Sequence, residues 1–213
     1  PHPDPTIAIG EQEAAAVARV VADLEARHES PYLIPIGGSS PLGALGYVAA
    51  TLELVEQLFA MGESPSRLYY ASGSRGTQAG LTLGAKLYSA PYQLFGIAVS
   101  GGEPEKTARA MCIANEAATL IGVSARVAVE DLPTDQNYIG PGYAIPTAGC
   151  LEAIDLLARQ EGILLDPVYT AKAMAGLIDH IRQGSIDPAE TVAFLHTGGT
   201  PALFAYAEEL GLS

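Results

Sequence analysis

Several short segments of this 213-residue chain carry hydroxyls, bare backbone amides and phenols that could act on a small ligand. Ser72-Gly73-Ser74-Arg75-Gly76-Thr77 joins a short apolar run to a stretch of helical pattern. Small residues leave the backbone open there, and a helix N-terminus adds free N–H groups and the positive end of its dipole, which suits a phosphate. The pattern is not the G-x-x-x-x-G-K-[ST] nucleotide loop, because no lysine follows Gly76, nor is it the G-x-G-x-x-G dinucleotide turn. Ser72 in place of the first glycine also breaks the G-x-S-x-G signature of a hydrolase. Such a turn can equally serve only to reverse the chain, so the pattern alone leaves both roles open.

The turn His196-Thr197-Gly198-Gly199-Thr200 has the same logic: its two glycines let a flat ligand approach the backbone, and Thr197 offers a hydroxyl. His196 is either an acid–base group or, with no partner evident in the sequence, a packed and hydrogen-bonded residue. Tyr143 and Tyr169 stand in Gly140-Pro141-Gly142-Tyr143 and Asp166-Pro167-Val168-Tyr169-Thr170, irregular stretches just before helical ones. Side chains reach into sites from such places, or else pack a ring and leave the hydroxyl in water. Cys112 and Cys150 lack a C-x-x-C companion or a histidine at zinc spacing, so no metal site and no disulfide framework is expected. Both read as buried, reduced thiols. The pairs Glu53/Glu56 and Glu152/Asp155 read as solvated helix faces.

The scaffold for these groups is an alternation of short apolar runs and amphipathic stretches. Glu11 to His28 sets Val17, Val20, Val21 and Leu24 on one helical stripe. Tyr32 to Ile36 reads as extended, closed by Gly37-Gly38; Ser40 then caps a helix that opens with Pro41 and runs to about Ala60. Leu68 to Ala71 leads through the Ser72 turn into a helix from about Thr77, and Leu94 to Val99 leads through Ser100-Gly101-Gly102 into one from about Glu105 to Ile121. A short strand is expected at Arg126–Val129, an irregular segment at 130–146, and helices at about Thr147–Gln160 and Ala171–Arg182. The strand Val192–Leu195 comes last, with a helix capped by Thr200 after its turn. Continuous rather than alternating apolar strands mark a parallel sheet covered on both faces, so the expected fold is an open α/β sheet with helices on each side. Ligands of such sheets bind outside the carboxyl ends of the strands, where three of the glycine turns fall.

Composition narrows the partners. Hydrophobic residues make up 48% of the chain, so a large core is available, and 11 Lys plus Arg against 24 Asp plus Glu leave a net charge of -13 with no basic patch. Nucleic acid and anionic membrane surfaces are therefore not expected as partners. The apolar stretches read as too interrupted for a span of about 20 residues, and no basic-then-apolar leader opens the chain, so a cytoplasmic location is expected. The Pro-His-Pro-Asp-Pro start without Met reads as a processed or truncated end.

Taken together, Pro31-Tyr32-Leu33-Ile34-Pro35-Ile36-Gly37-Gly38-Ser39, Gly43-Ala44-Leu45-Gly46-Tyr47, Ala71-Ser72-Gly73-Ser74, Gly76-Thr77-Gln78-Ala79-Gly80, Gly140-Pro141-Gly142-Tyr143, Glu161 to Tyr169 and Phe194 to Phe204 resemble, in order, the D-cysteine desulfhydrase and 1-aminocyclopropane-1-carboxylate deaminase family. These are pyridoxal 5'-phosphate enzymes of the tryptophan synthase β-like fold. The resemblance implies that Ser74, Arg75, Gly76 and Thr77 hold the cofactor phosphate, that Thr197 bonds the pyridine nitrogen beside Gly198, and that Tyr143 and Tyr169 face the substrate as catalytic groups. Arg75 departs from the small residue usual in the family; turned outward it leaves its N–H to serve, turned inward it adds a counter-charge. Asp166-Pro167-Val168-Tyr169-Thr170 resembles the desulfhydrase branch, since the deaminase branch carries Glu at the position of Thr170.

The family's cofactor-bearing lysine belongs to an N-terminal portion with no counterpart here. Lys86, Lys106 and Lys172 stand in other contexts, so residues 1–30 read as the end of a small domain, residues 31–213 as most of a large cofactor-binding domain, and this chain alone as inactive. The activity implied is β-elimination of D-cysteine, a small amino-acid substrate, by a homodimer whose N-terminal segment is lost or lies on another chain. L-cysteate sulfo-lyase, aminocyclopropane carboxylate deaminase and a non-catalytic module for a phosphorylated ligand are the alternatives.

Overall fold

The computed structural model describes residues 5–211 and divides the chain into two compact units, residues 1–36 and 37–213. The Pro-rich opening at residues 1–4 lies outside the described residues. In the first unit, helix α1 (Pro5–Ala26) begins ahead of Glu11 and ends where His28 turns to a φ of 58° and the Glu29 N–H donates to Leu24 O at 3.0 Å. Tyr32–Ile36, expected to be extended, forms no strand. Pro35 removes one of its backbone donors and Pro31 another just before it, and Tyr32, Leu33 and Ile34 remain 60–71% exposed.

The second unit is built on helices α2 (Pro41–Met61), α3 (Gly76–Tyr88), α4 (Glu105–Leu120), α5 (Ala148–Glu161) and α6 (Thr170–Arg182), and on strands β1 (Arg67–Ser72), β2 (Gln93–Ala98), β3 (Thr134–Asp135) and β4 (Val192–Phe194). All strand pairs are parallel, in the order β3-β2-β1-β4, with Tyr69 opposite both Phe95 and Phe194. Alternate residues of β1 enter opposite cores: Leu68 and Tyr70 pack with Leu58, Leu81 and Leu94, whereas Tyr69 and Ala71 pack with Ile154, Leu165, Met174 and Leu177. Both faces are thus covered, which is why the strands are apolar throughout.

Two helix contacts decide how tightly one face closes. Ser40 accepts the Gly43 N–H at 3.1 Å and Pro41 opens α2, so its start is set as the sequence predicts. Gly80 and Gly84 of α3 face α2 so closely that added Cβ atoms would lie 2.3 Å from Ala44 O and 2.6 Å from Thr51 Oγ1. The seam needs glycine because the Ala44 backbone and the Thr51 side chain leave no room for a Cβ there. Among the described residues, α2 is also the one helix long and apolar enough to cross a membrane by length and composition, contrary to the expectation that no stretch would be. In the fold it instead buries Ala44, Val48, Thr51 and Leu58.

Three further expectations are corrected. Arg126–Val129 is not a strand: Asn115 answers both backbone groups of Val127 at 2.9 Å, and Asp131 accepts the Ala128 N–H at 2.7 Å to close a 3-10 turn, Val129–Asp131. Those groups are therefore unavailable to a ladder, and β3 forms later, inside the segment read as irregular. After β4 the chain makes a 3-10 helix, Thr200–Tyr206, capped by Gly199 at a φ of 91° rather than by Thr200. Cys150 is buried, but Cys112 is exposed on the α4 face turned away from Ala110, Ile113 and Ala117.

Candidate active site

From β1 the chain passes through α3 to β2 on one side, while β4 returns on the other side of β1 by way of α5 and α6. The strand order therefore reverses between β1 and β4, and in an open parallel sheet the cleft at the carboxyl ends of two such strands receives the ligand. The turns at these two ends are Ser72–Thr77 and His196–Gly199, the two singled out from sequence.

Around the first turn, the Gly37-Gly38-Ser39 turn presses in. A Cβ on Gly37, itself at a φ of 69°, would lie 2.4 Å from Ser74 Oγ. Ser39, 4% exposed, donates its hydroxyl to Ser74 Oγ at 2.7 Å and accepts the Gly76 N–H at 3.2 Å. The amides of Ser74, Arg75, Thr77 and Gln78 find no acceptor among the described residues, because the first intrahelical-type bond here is Ala79 N–H to Arg75 O. Four open amides at a helix N-terminus form a cradle for an anion. Arg75 does turn inward, but not onto that cradle: its side chain is fully buried and forms an ion pair with Glu103. It thus contributes its backbone N–H and no free counter-charge.

Asp166 organises the opposite wall. Fully buried, it accepts the N–H groups of Val168 (2.9 Å), Tyr169 (2.8 Å) and Thr170 (2.8 Å) and the Thr170 hydroxyl (2.7 Å). These bonds bend the chain into the start of α6 and swing Tyr169 over the first turn, where its ring would lie 3.5 Å from a Cβ on Gly73. Gly199 closes against the same carboxylate, since its Cβ would meet Asp166 Cγ at 2.6 Å. His196 accepts the Gly198 N–H on Nδ1 at 3.2 Å, which leaves Nε2 to donate to Leu164 O at 2.9 Å. Both ring nitrogens are engaged by backbone, so His196 is the hydrogen-bonded residue of the two sequence readings, although it is exposed rather than packed. The Thr197 hydroxyl has no partner among the described residues.

Tyr143 arrives from a loop pinned by Lys172. Its ammonium, buried in α6, donates to Ile139 O at 2.7 Å and Gly142 O at 2.8 Å, and Tyr206 donates its hydroxyl to Ala144 O at 2.7 Å on the far side. The loop so held brings the Tyr143 hydroxyl into a hydrogen bond with that of Tyr169, their rings 5.9 Å apart at 67°. Burial, the Tyr143 bond and the Asp166 charge push the Tyr169 phenol up to about 12, so it stays protonated at neutral pH. The structure sets Ser74, Gly76 and Thr77 on one turn with Tyr169 over it and Tyr143 bonded to Tyr169, and turns the Arg75 side chain away; sequence reasoning assigns no role to Ser39, Asp166 or Lys172. Asp166 had a legible signal, an Asp four residues before Thr170 at a helix start; Lys172 had none.

An anion cradle at the switch point of a parallel sheet suits a phosphorylated ligand, and the profile of the pyridoxal-phosphate dependent enzyme family matches residues 6–198. The chain belongs to this family. D-cysteine desulfhydrase of Salmonella typhi is 43% identical over 192 residues, which cover 90% of this chain and 57% of the relative; that of Salmonella newport (strain SL254) is 42% identical over the same extent. The crystal structure of an ACC deaminase homologue matches with a TM-score of 0.81 at 36% identity, over 94% of this chain and 60% of that one. A fungal L-serine ammonia-lyase from Rhizomucor miehei shares the fold alone, at 18% identity and a TM-score of 0.50 over 79% of this chain. The chain spans less than two thirds of the length of these relatives.

The residues present fit pyridoxal phosphate. The four open amides suit its phosphate, the unpartnered Thr197 hydroxyl suits a ring nitrogen, and Gly198 leaves open space, with nothing within 4 Å of a Cβ built on it.

Proposed function

We propose that the whole protein is a pyridoxal phosphate-dependent carbon–sulfur lyase that converts D-cysteine and water to pyruvate, hydrogen sulfide and ammonia. The observation that carries this reading is the hydrogen-bonded phenol pair Tyr143–Tyr169, held over Gly73 of the phosphate turn. When bound, the cofactor supplies the electron sink that makes the substrate α-proton acidic. The amides of Ser74, Arg75, Thr77 and Gln78 would hold its phosphate, and the neutral hydroxyl of Thr197 would meet its ring nitrogen.

The two phenols carry two hydroxyl protons, of which one lies in their mutual bond and one remains to donate. With the Tyr169 phenol raised to about 12, donation is its role at neutral pH: to the substrate carboxylate for orientation, or to sulfur as the C–S bond breaks and a thiolate leaves. Thr170 supports the same branch of the family. Its hydroxyl is held by Asp166 at 2.7 Å, and the position carries no carboxylate of its own.

The full-length enzyme loaded with pyridoxal phosphate tests this directly. Sulfide release is measured with D-cysteine and L-cysteine, sulfite release with L-cysteate, and ammonia release with 1-aminocyclopropane-1-carboxylate. The expected result is sulfide from D-cysteine with the highest kcat/KM of the four. Turnover confined to L-cysteate or to the cyclopropane would reassign the substrate, and turnover of none would overturn the lyase reading.

A further inference from the structure

Arg75 is the fourth residue of the turn that begins at Ser72, and it holds a φ of 79°. A side-chain residue rarely adopts this left-handed backbone, and its cost must be offset by the surroundings. Arg75 is nevertheless, among the described residues, the largest side chain that is almost wholly buried, at 1% exposed. Its Nη1 lies 3.0 Å from Ser72 Oγ, 2.7 Å from Gln78 Oε1 and 2.9 Å from Thr134 Oγ1, while Nη2 pairs with the Glu103 carboxylate. Ser72 in turn donates to Gln78 Oε1 at 2.9 Å, and Gln78 Nε2 donates to Thr134 Oγ1 at 3.0 Å. One polar network therefore joins the end of β1, the first turn of α3, the start of β3 and the segment leading into α4.

We infer that Arg75 is a positioning residue: its guanidinium, neutralised by Glu103, fixes the phosphate turn from inside the protein, a role that rests on the phosphate assignment above. The φ of residue 75 sets where the amides on either side of it point. Glycine would permit that φ but would not hold it, whereas the anchored guanidinium holds it by tying the side chain to three other elements. Nη1 faces Ser72, Gln78 and Thr134 while Nη2, the other arm of the same planar group, pairs with Glu103, and the single nitrogen of a lysine cannot stand on both sides at once. Because Glu103 offsets the charge, the effect on the phosphate is one of geometry.

The test compares two probes on the full-length apoenzyme, pyridoxal phosphate and pyridoxal, which lacks the phosphate. Apparent Kd values come from fluorescence titration, and the selectivity is their ratio. In the wild type a preference of at least a hundredfold for the phosphorylated form is expected; equal affinities would refute the phosphate assignment itself. Given that preference, R75G and R75K should each lower the selectivity about tenfold or more, chiefly through weaker binding of pyridoxal phosphate. Selectivity within twofold of the wild type in a folded R75G protein would overturn the positioning role. E103Q decides the case even if R75G does not fold. It frees the positive charge, so a guanidinium acting through space would raise the selectivity, whereas a turn held by the pair loses it by about threefold or more. An unchanged or raised selectivity in E103Q overturns the positioning role.

Discussion

Adding a single methyl group at Gly76 should separate cofactor affinity from stability. In the structure a Cβ at Gly76 would lie 2.9 Å from Ser39 Oγ and 3.1 Å from Ser39 Cα. The second contact is with backbone, so relief requires the Ser39 turn to retreat by about 0.5 Å to reach ordinary van der Waals distance. Ser39 Oγ accepts the Gly76 N–H at 3.2 Å, so such a retreat breaks that bond and loosens Ser74, which Ser39 also holds. If one amide-to-phosphate contact is lost as the cradle opens, the cost is about 1.5 to 3 kcal/mol, or roughly 10- to 150-fold in Kd. Helix propensity runs the other way, since alanine is favoured over glycine in a helix by up to about 1 kcal/mol. Gly76→Ala should therefore weaken binding of pyridoxal phosphate to the full-length apoenzyme at least tenfold, with no matching fall in thermal stability. Gly46→Ala is the control, because nothing lies within 4 Å of its Cβ. Fluorescence titration with circular dichroism gives both quantities. A Kd within twofold of the wild type in folded Gly76→Ala would refute the cradle.

Other consequences are as specific. Tyr169→Phe and Tyr143→Phe should each keep the fold and cofactor affinity while lowering kcat at least tenfold, since only a hydroxyl is lost; steady-state kinetics beside a thermal melt would show wild-type turnover if the rings only pack. Lys172→Met leaves the carbonyls of Ile139 and Gly142 without their donor, at about 1–3 kcal/mol each, so kcat should fall toward the Tyr143→Phe value with cofactor Kd unchanged. A kcat equal to wild type would remove Lys172 from the support of Tyr143. Gly80→Val drives side-chain atoms into Ala44 O and should cost about 1–3 kcal/mol in denaturant titration; an unchanged midpoint would mean that the α2–α3 seam is looser than described. Burial pushes the Cys150 thiol from 9.0 up to about 11, so the fold retains its proton better than the unfolded chain does. Its stabilising effect is complete below pH 9 and is lost as pH rises toward 11, on the order of 2 kcal/mol. The difference in unfolding free energy between wild type and Cys150→Ala should shrink over that interval, and parallel pH profiles would refute it.

Local chemistry was enough for the sequence to announce the repeated strand, glycine turn and helix units. Continuous apolar runs such as Leu68–Ala71 demand cover on both faces, and Ser40-Pro41 caps a helix by short-range hydrogen bonding alone. The two glycine turns and the two tyrosines were visible for the same reason, since each is a property of a few adjacent residues. Tertiary structure decided everything that depends on which distant groups meet. Arg126–Val129 has the composition of a strand, but Asn115, twelve residues earlier, takes both backbone bonds of Val127. Arg75 could have faced the phosphate, but its charge is held by Glu103 and its Nη1 by Ser72, Gln78 and Thr134. Tyr143 depends on Lys172, about thirty residues further along the chain, and Gly199 on the Asp166 carboxylate. Such pairings have no short-range signature, because the contact exists only once the sheet has brought the ends of β1 and β4 together.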